Sequence, residues 1–113
     1  DPGHIMENIV YNELLRRGYS VDVGVVTDRT GGANTQKGID FVVNDADKKI
    51  YIQSAFQMDA DKKESSELAS LILTKDFFKK IIVRMDIPHN FYDDNGIFHC
   101  NLIDLLLGRV ELF

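Results

Sequence analysis

The sequence has almost no cysteine: Cys100 is the single example among 113 residues. One thiol excludes an internal disulfide framework and fits a reducing compartment, so we expect a cytoplasmic protein. Long apolar runs are also missing, and no stretch approaches the roughly 20 residues that a membrane-spanning helix needs. These absences exclude a disulfide-stapled domain and a helical membrane protein, and we expect no membrane partner.

Basic residues are outnumbered. The chain has 13 lysines and arginines against 18 aspartates and glutamates, which gives a net charge of −5 and a pI near 5.0. Phosphate contacts dominate the affinity of proteins for nucleic acids, so this balance disfavours a general DNA- or RNA-binding surface. Three lysine pairs, Lys48–Lys49, Lys62–Lys63 and Lys79–Lys80, are typical of solvated faces. If they cluster in space, they form a local patch for an anionic partner.

What the chain does contain suits one globular domain over residues 1–113, with 44% hydrophobic and 27% charged residues. No repeat, low-complexity tract or linker interrupts it. The chain opens on Asp1 and Pro2 without an initiator methionine. We therefore expect a piece of a longer protein, with part of the function lying outside it.

Periodicity predicts alternating helices and strands. Apolar residues at helical spacing follow Asp1 and stop at Gly18, which predicts a first helix over residues 2–17. Three strand patterns then indicate an antiparallel meander, and the later strand–helix–strand connection implies a parallel pair. We expect a mixed sheet with helices on both faces, in the order α-β-β-β-α-β-β-α. The other expected elements are strands at 19–26, 39–43, 49–56, 80–85 and 97–100, a helix beginning at the capping box Asp61–Glu64, a loop at 88–96, and a helix from Asn101 through Leu107.

Three polar residues stand where an apolar pattern would place core residues. Glu7 lies on the apolar side of the first helix, while Asp40 and Gln53 interrupt two apolar strands. A buried carboxylate is costly unless it is paired, hydrogen-bonded or bound to a cation. Glu7 and Asp40 are therefore candidate oxygen ligands for a hard divalent ion. The alternative is structural: Glu7 bonds to nearby backbone, and Asp40 caps a strand end or pairs with a lysine.

A helix glutamate, an aspartate opening the second strand and a polar residue in the third strand resemble the PD-(D/E)XK nucleases. More narrowly, the chain resembles the C-terminal domain of unknown function that closes many prokaryotic AAA+ ATPases. The resemblance covers nearly the whole chain and implies a restriction-endonuclease-like α/β/α fold, with an ATPase module elsewhere in a longer chain. The segments that carry it are Gly3–Leu14, Gly38–Val42, Tyr51–Ala55 and Asn101–Leu106.

By this resemblance, the nuclease metal ligands fall on Glu7, Asp40 and Gln53, and the catalytic lysine falls on Ala55. Gln53 supplies a neutral oxygen where a carboxylate is expected, and two unit charges about 4 Å apart interact by about 4 kcal/mol at an effective dielectric of about 20. Ala55 cannot orient water or stabilise charge on a phosphoryl group, and losing one such stabiliser typically costs about 10²–10³ in rate. A lysine from another element is the alternative, with Lys62–Lys63 nearest in sequence.

These departures favour a non-catalytic accessory domain of an AAA+ ATPase, for which we expect no cofactor. Its expected partners are the ATPase module of its own chain, other proteins or further copies of itself. A weak nuclease dependent on Mg²⁺ or Mn²⁺ is the first alternative. Nucleic-acid binding without cleavage is the second, and the acidic balance disfavours it.

Three other signals carry little weight. The loop around Gly31 and Gly32 lacks the G-x-x-x-x-G-K-[ST] order of a phosphate-binding loop. His99 and Cys100 are adjacent on a strand, so their side chains point to opposite faces and are not expected to form one site. His4, in the first helical turn, is expected at the surface, where it can reach the candidate site.

Overall fold

The structure, a computed structural model, describes residues 1–29, 31–58 and 68–113. The predicted capping box at Asp61–Glu64 and the lysine pair Lys62–Lys63 lie outside these ranges. Within them, no helix combines the length and the apolar character that crossing a membrane requires. The elements are helix α1 (Pro2–Arg16), strands β1 (Ser20–Asp28), β2 (Thr35–Asp45) and β3 (Lys48–Ala55), helix α2 (described over 68–73), strands β4 (Lys79–Arg84), β5 (Phe91–Tyr92) and β6 (Phe98–Asn101), and helix α3 (Leu102–Leu106).

Helix α1 begins at Pro2, as the sequence predicts, and ends at Arg16, one residue before the predicted end. The Asp1 carboxylate accepts the backbone N–H of Gly3 at 2.9 Å, and Gly18 takes a φ of 84° after the last turn. Glu13 is buried on α1 and accepts hydrogen bonds from Arg16 and Arg17, which lower the pKa of its carboxyl despite desolvation. Arg17 also donates to the Leu105 carbonyl at 2.7 Å, and this bond ties α1 to α3.

The strands form one mixed sheet of six in the order β1-β2-β3-β4-β6-β5. The first three are an antiparallel meander, and β3, β4 and β6 are parallel to one another. The predicted meander is confirmed. The predicted parallel pair is confirmed as well, with α2 between β3 and β4 in the chain order. The chain is therefore an α/β domain with a mixed sheet.

One strand was not predicted. Residues 88–96 were expected to form a loop, but Phe91–Tyr92 pairs antiparallel with β6 at the edge of the sheet. Asp93 Oδ1 accepts the N–H groups of Asn95 and Ile97, and Gly96 has a φ of 76°, so a tight turn joins the two strands. A two-residue strand is too short to show the alternation by which strands are predicted.

Two hydrophobic clusters lie on opposite faces of the sheet. On β3, Ile50 and Ile52 belong to the first cluster, whereas Tyr51 and Ala55 belong to the second, as the alternation of a strand requires. Helices α1 and α3 contribute to the first cluster, through Met6, Val10, Leu14, Leu102 and Leu105. Helix α2 contributes Leu68 and Leu71 to the second.

Strand β2 carries one extra residue against β1. The Cα pairs Asp22–Val42 and Gly24–Ile39 are separated by two residues on β1 but three on β2. This bulge interrupts the alternation of side chains, because Ile39 packs in the second cluster and Phe41 packs in the first. The bulge lies at the position of Asp40.

Gly24 lies opposite this bulge in a space that admits no side chain. A Cβ at this position would lie 2.7 Å from Val42 Cγ2 and 3.2 Å from Ile39 Cβ. We expect Gly24→Ala to lower the free energy of unfolding by about 1–2 kcal/mol through overpacking, measured by urea denaturation. Gly38→Ala is the control, since nothing lies within 4 Å of a Cβ there. Equal effects of the two substitutions would contradict the steric explanation.

Candidate functional site

A cleft of about 470 Å³ lies between the N-terminal end of α1 and the C-terminal end of β3. Glu7 and Asp40 both line it, and both side chains are half-buried. The cleft therefore brings together the two carboxylates that the sequence singles out. Its remaining walls are formed by residues 1–4 and 54–57.

Gln53, the third predicted ligand, is not in the wall of this cleft. Its side chain is 6% exposed, and Oε1 accepts the backbone N–H of Asp40 at 2.6 Å. The Asp40 side chain makes a second bond, in which Oδ2 accepts the backbone N–H of Ser54 at 2.9 Å. We call these two bonds the Asp40–Gln53 brace.

The brace takes over where the ladder between β2 and β3 ends. The last Cα partners on these strands are Phe41 and Ile52, and the brace joins the next residues on both strands. Two backbone N–H groups that a regular ladder would have used thus find side-chain acceptors instead. One alternative that the sequence left open for Asp40 was the capping of a strand end, and its bond with the Ser54 N–H is of that kind.

The metal site predicted at Glu7, Asp40 and Gln53 stays a prediction. Two features of the geometry bear on it. Among the described residues, no group of three or more histidine, cysteine, aspartate and glutamate side chains is placed to hold a metal ion. The amide oxygen that Gln53 would offer is engaged by the backbone of Asp40. The set therefore contains two carboxylates and one oxygen already used in the brace.

The other residues near the cleft are also informative. Ala55, at the position that the resemblance assigns to the catalytic lysine, is 4% exposed and packs in the second cluster. The alternative lysines, Lys62 and Lys63, fall outside the described residues. His4 is exposed, as predicted; it lines the cleft, and its Nδ1 lies 2.9 Å from Asp1 Oδ2.

A buried polar chain behind the cleft was missed by the sequence reasoning. Arg84 donates to both carboxylate oxygens of Asp86, at 2.7 and 2.8 Å, and its Nη1 lies 3.0 Å from His99 Nδ1. His99 Nε2 lies 2.8 Å from Asp93 Oδ2. A guanidinium only donates, so Nδ1 accepts and Nε2–H donates, which fixes His99 as the neutral Nε2–H tautomer.

The hydrogen-bonded side chains around Arg84 support the wall of the cleft. Asp86 Oδ2 also accepts the backbone N–H of Met58 at 2.8 Å, and Met85 N–H donates to the Phe56 carbonyl at 3.2 Å. Arg84 and His99 are 8% and 1% exposed. The only sequence signal was an arginine ending an apolar strand, with an aspartate two residues later on the same side.

His99 and Cys100 have different surroundings, as adjacent strand residues should. Cys100 packs in the first cluster, where burial raises the pKa of its thiol to about 11. His99 belongs to the polar chain and stacks on Phe91, with ring centroids 4.4 Å apart. The two side chains therefore do not act together.

The lowered pKa of Asp86 makes the domain less stable at low pH. The bonds from Arg84, joined by the Met58 N–H, lower the pKa of Asp86 from 3.8 to about 2. The stabilisation is therefore complete above pH 4 and is lost as the pH falls toward 2. A shift of this size corresponds to about 2.5 kcal/mol, which screening at a partly exposed carboxylate reduces to about 1 kcal/mol.

We expect Asp86→Asn to reduce the loss of unfolding free energy between pH 5 and pH 2 by about 1 kcal/mol. Urea denaturation across this pH range measures the effect. Asp94→Asn, an exposed substitution in the neighbouring turn, serves as the control. Identical profiles for wild type and Asp86→Asn would refute the assignment.

Comparison with known proteins identifies an uncharacterized relative but shows no family. No protein-family profile matches the chain. A protein of Haemophilus influenzae, described only as uncharacterized, is 42% identical over 78 residues, which are 69% of this chain. The match covers 17% of that relative, so the chain spans about a sixth of its length.

Proposed function

We propose that this chain is a non-catalytic accessory domain with a restriction-endonuclease-like fold, which acts in the cytoplasm through protein contacts as one module of an AAA+ ATPase. The observation that carries the proposal is the Asp40–Gln53 brace. Two of the three residues at the nuclease ligand positions hold β2 to β3 through hydrogen bonds of 2.6 and 2.9 Å. Their presence is therefore explained by the stability of the sheet.

The donor set does not fit a tight divalent site. Replacing a carboxylate by Gln53 removes a charge worth about 4 kcal/mol to a unit charge about 4 Å away, at an effective dielectric of about 20. The Gln53 Oε1 that remains accepts a backbone N–H. Ala55 offers no cation to the cleft, so phosphoryl stabilisation lacks the residue that the resemblance assigns to it.

The arrangement of elements supports the proposed fold. An antiparallel meander is followed by two parallel strands, and α1 packs on the opposite face from α2. The candidate cleft lies where β2 and β3 diverge, beside the N-terminal end of α1. The resemblance assigns two of the nuclease ligands to Glu7 and Asp40, which line this cleft.

The comparison supports a module of a larger protein. The relative is about six times longer than the segment that matches, so most of it lies outside this domain. We propose that the contact partner is the ATPase module of the same chain, another protein or a second copy.

The test is a nicking assay on supercoiled plasmid with Mn²⁺, comparing wild type, Asp40→Ala and Gln53→Glu. We expect wild type and Asp40→Ala to give the same background rate. Gln53→Glu keeps an acceptor for the Asp40 N–H and adds the missing charge, so it is the matched variant for restored metal binding. Nicking by wild type that disappears in Asp40→Ala would overturn the proposal.

One observation favours a second candidate, a weak Mg²⁺- or Mn²⁺-dependent nuclease. Glu7 and Asp40 line the same cleft, as two metal ligands of such an enzyme would. This candidate requires calorimetric Mn²⁺ binding by wild type that Glu7→Gln removes. The absence of heat from binding at millimolar Mn²⁺ would eliminate it.

A further inference from the structure

A groove with cations and exposed aromatic rings lies at the other end of the parallel strands. Its volume is about 300 Å³, and no carboxylate is among its lining side chains. It forms where β3 and β4 begin, since Ile50 pairs with Lys79 there. We call it the lysine–phenylalanine groove; its main lining residues are Lys48, Lys49, Lys79, Phe77, Phe78 and Phe113.

Two phenylalanines of the groove, Phe77 and Phe78, are exposed. Phe77 is fully exposed at 106% of its reference area, and Phe78 is 44% exposed. Both precede β4 directly, in the turn that leaves α2. A phenylalanine gains free energy when it is covered, so this pair offers contact area to a partner.

Two of the lysines have their ammonium groups against aromatic rings, on opposite faces of the sheet. Lys49 Nζ lies 5.1 Å from the Phe78 ring centroid and 5.2 Å from the Tyr51 ring centroid. Lys79 Nζ lies 5.2 Å from the centroid of Phe98, a ring outside the groove. The groove is thus lined by three lysines in a chain whose net charge is −5.

We propose that this groove binds an acidic peptide segment of a partner protein, with one apolar side chain as an anchor against Phe77 and Phe78. The lysines supply charge complementarity, and the phenylalanines supply the contact area for the anchor. This inference rests on the proposed function in protein contact and names the surface that makes it.

The surroundings of the groove favour a peptide over a nucleic acid. Three lysines neutralise few phosphates, whereas nucleic-acid affinity grows with the number of phosphates neutralised. Carboxylates also flank the groove. Asp45 lies opposite Lys48 in the register of β2 and β3. Asp76 forms an ion pair with Lys80. They would repel a polyanion that extends beyond the groove.

The experiment is an amide NMR titration of the ¹⁵N-labelled domain with a peptide that has one phenylalanine between two pairs of aspartates. We expect shifts confined to residues 48–50 and 77–79, saturating in the millimolar range or below and weakening with salt. Two matched peptides replace the phenylalanine by glycine or the aspartates by lysines. Each should bind at least about tenfold more weakly.

Phe77→Ala should weaken the aspartate peptide at least about tenfold, because it removes most of the anchor contact. The control Val23→Ala changes another exposed apolar residue, 78% exposed on β1, and should leave affinity unchanged. No shifts with the aspartate peptide, equal binding of the lysine peptide, or tighter binding of a twelve-nucleotide oligothymidylate would each overturn the inference. The plasmid-nicking result is independent of all three, so the failure of either proposal can be recognised separately.

Discussion

Arg84→Met is expected to lower the free energy of unfolding by about 3–5 kcal/mol, because it removes the arginine cation from a buried network. Asp86 loses two charge-assisted hydrogen bonds, and His99 Nδ1 loses its donor. The Arg84 side chain is 9% exposed, so water cannot replace these bonds easily. Urea denaturation at pH 7 measures the loss, and a domain that no longer folds would agree with the upper end.

Arg109→Met provides the matched control. Arg109 also pairs with an aspartate, at 3.4 Å from Asp104, but its side chain is 65% exposed. An exposed pair of this kind contributes about 0–1 kcal/mol. A loss of less than about 1 kcal/mol for Arg84→Met would contradict the assignment of the network as a support for the cleft wall.

Asp40→Ala and Gln53→Ala are each expected to cost about 1–3 kcal/mol, since each leaves a backbone N–H without its acceptor. The affected groups are the N–H of Ser54 for the first substitution and that of Asp40 for the second. Asp40→Asn keeps an acceptor oxygen and should cost less. Urea denaturation of the three variants tests the brace.

The sign of these effects separates the two interpretations of the site. Residues kept for catalysis are often held at the expense of stability, so their removal commonly leaves the fold as stable or more stable. Residues that brace a sheet destabilise it when they are removed. Alanine variants at Asp40 and Gln53 that are as stable as wild type would therefore contradict the brace as their main role.

Much of the order of helices and strands could be predicted, because helix caps and strand alternation are local features of the sequence. Asp1 and Gly18 delimit α1, and Asn101 caps α3 by accepting the N–H of Ile103 at 2.8 Å. The meander was predictable from alternation on three strands. The two-residue strand Phe91–Tyr92 was not, because its pairing with β6 depends on tertiary contact.

The site was predictable in composition but not in its bonding. Spacing marked Glu7, Asp40 and Gln53 as unusual polar residues, and the cleft unites the first two. The spacing of residues could not reveal the bulge in β2, because the bulge depends on the register of β2 against β1. The Gln53 bond to the Asp40 backbone was equally hidden, because it joins residues 13 positions apart.

The polar chain of Arg84 and His99 was beyond sequence reasoning for the same reason. These residues are 15 positions apart and meet only because β4 and β6 are neighbours in the sheet. A single histidine beside a cysteine gave no sign of an arginine partner. Long-range pairing, rather than local propensity, decided what both residues do.

Urea denaturation of wild type and Asp40→Ala, with and without about 10 mM Mn²⁺, tests the central claim that this constellation braces the sheet without holding a metal. A native site with a Kd of about 1 mM would add about 1.4 kcal/mol at that concentration. We predict no metal-dependent gain for wild type and a loss of about 1–3 kcal/mol for Asp40→Ala in both buffers. A gain of about 1 kcal/mol or more in wild type that Asp40→Ala abolishes would contradict the account.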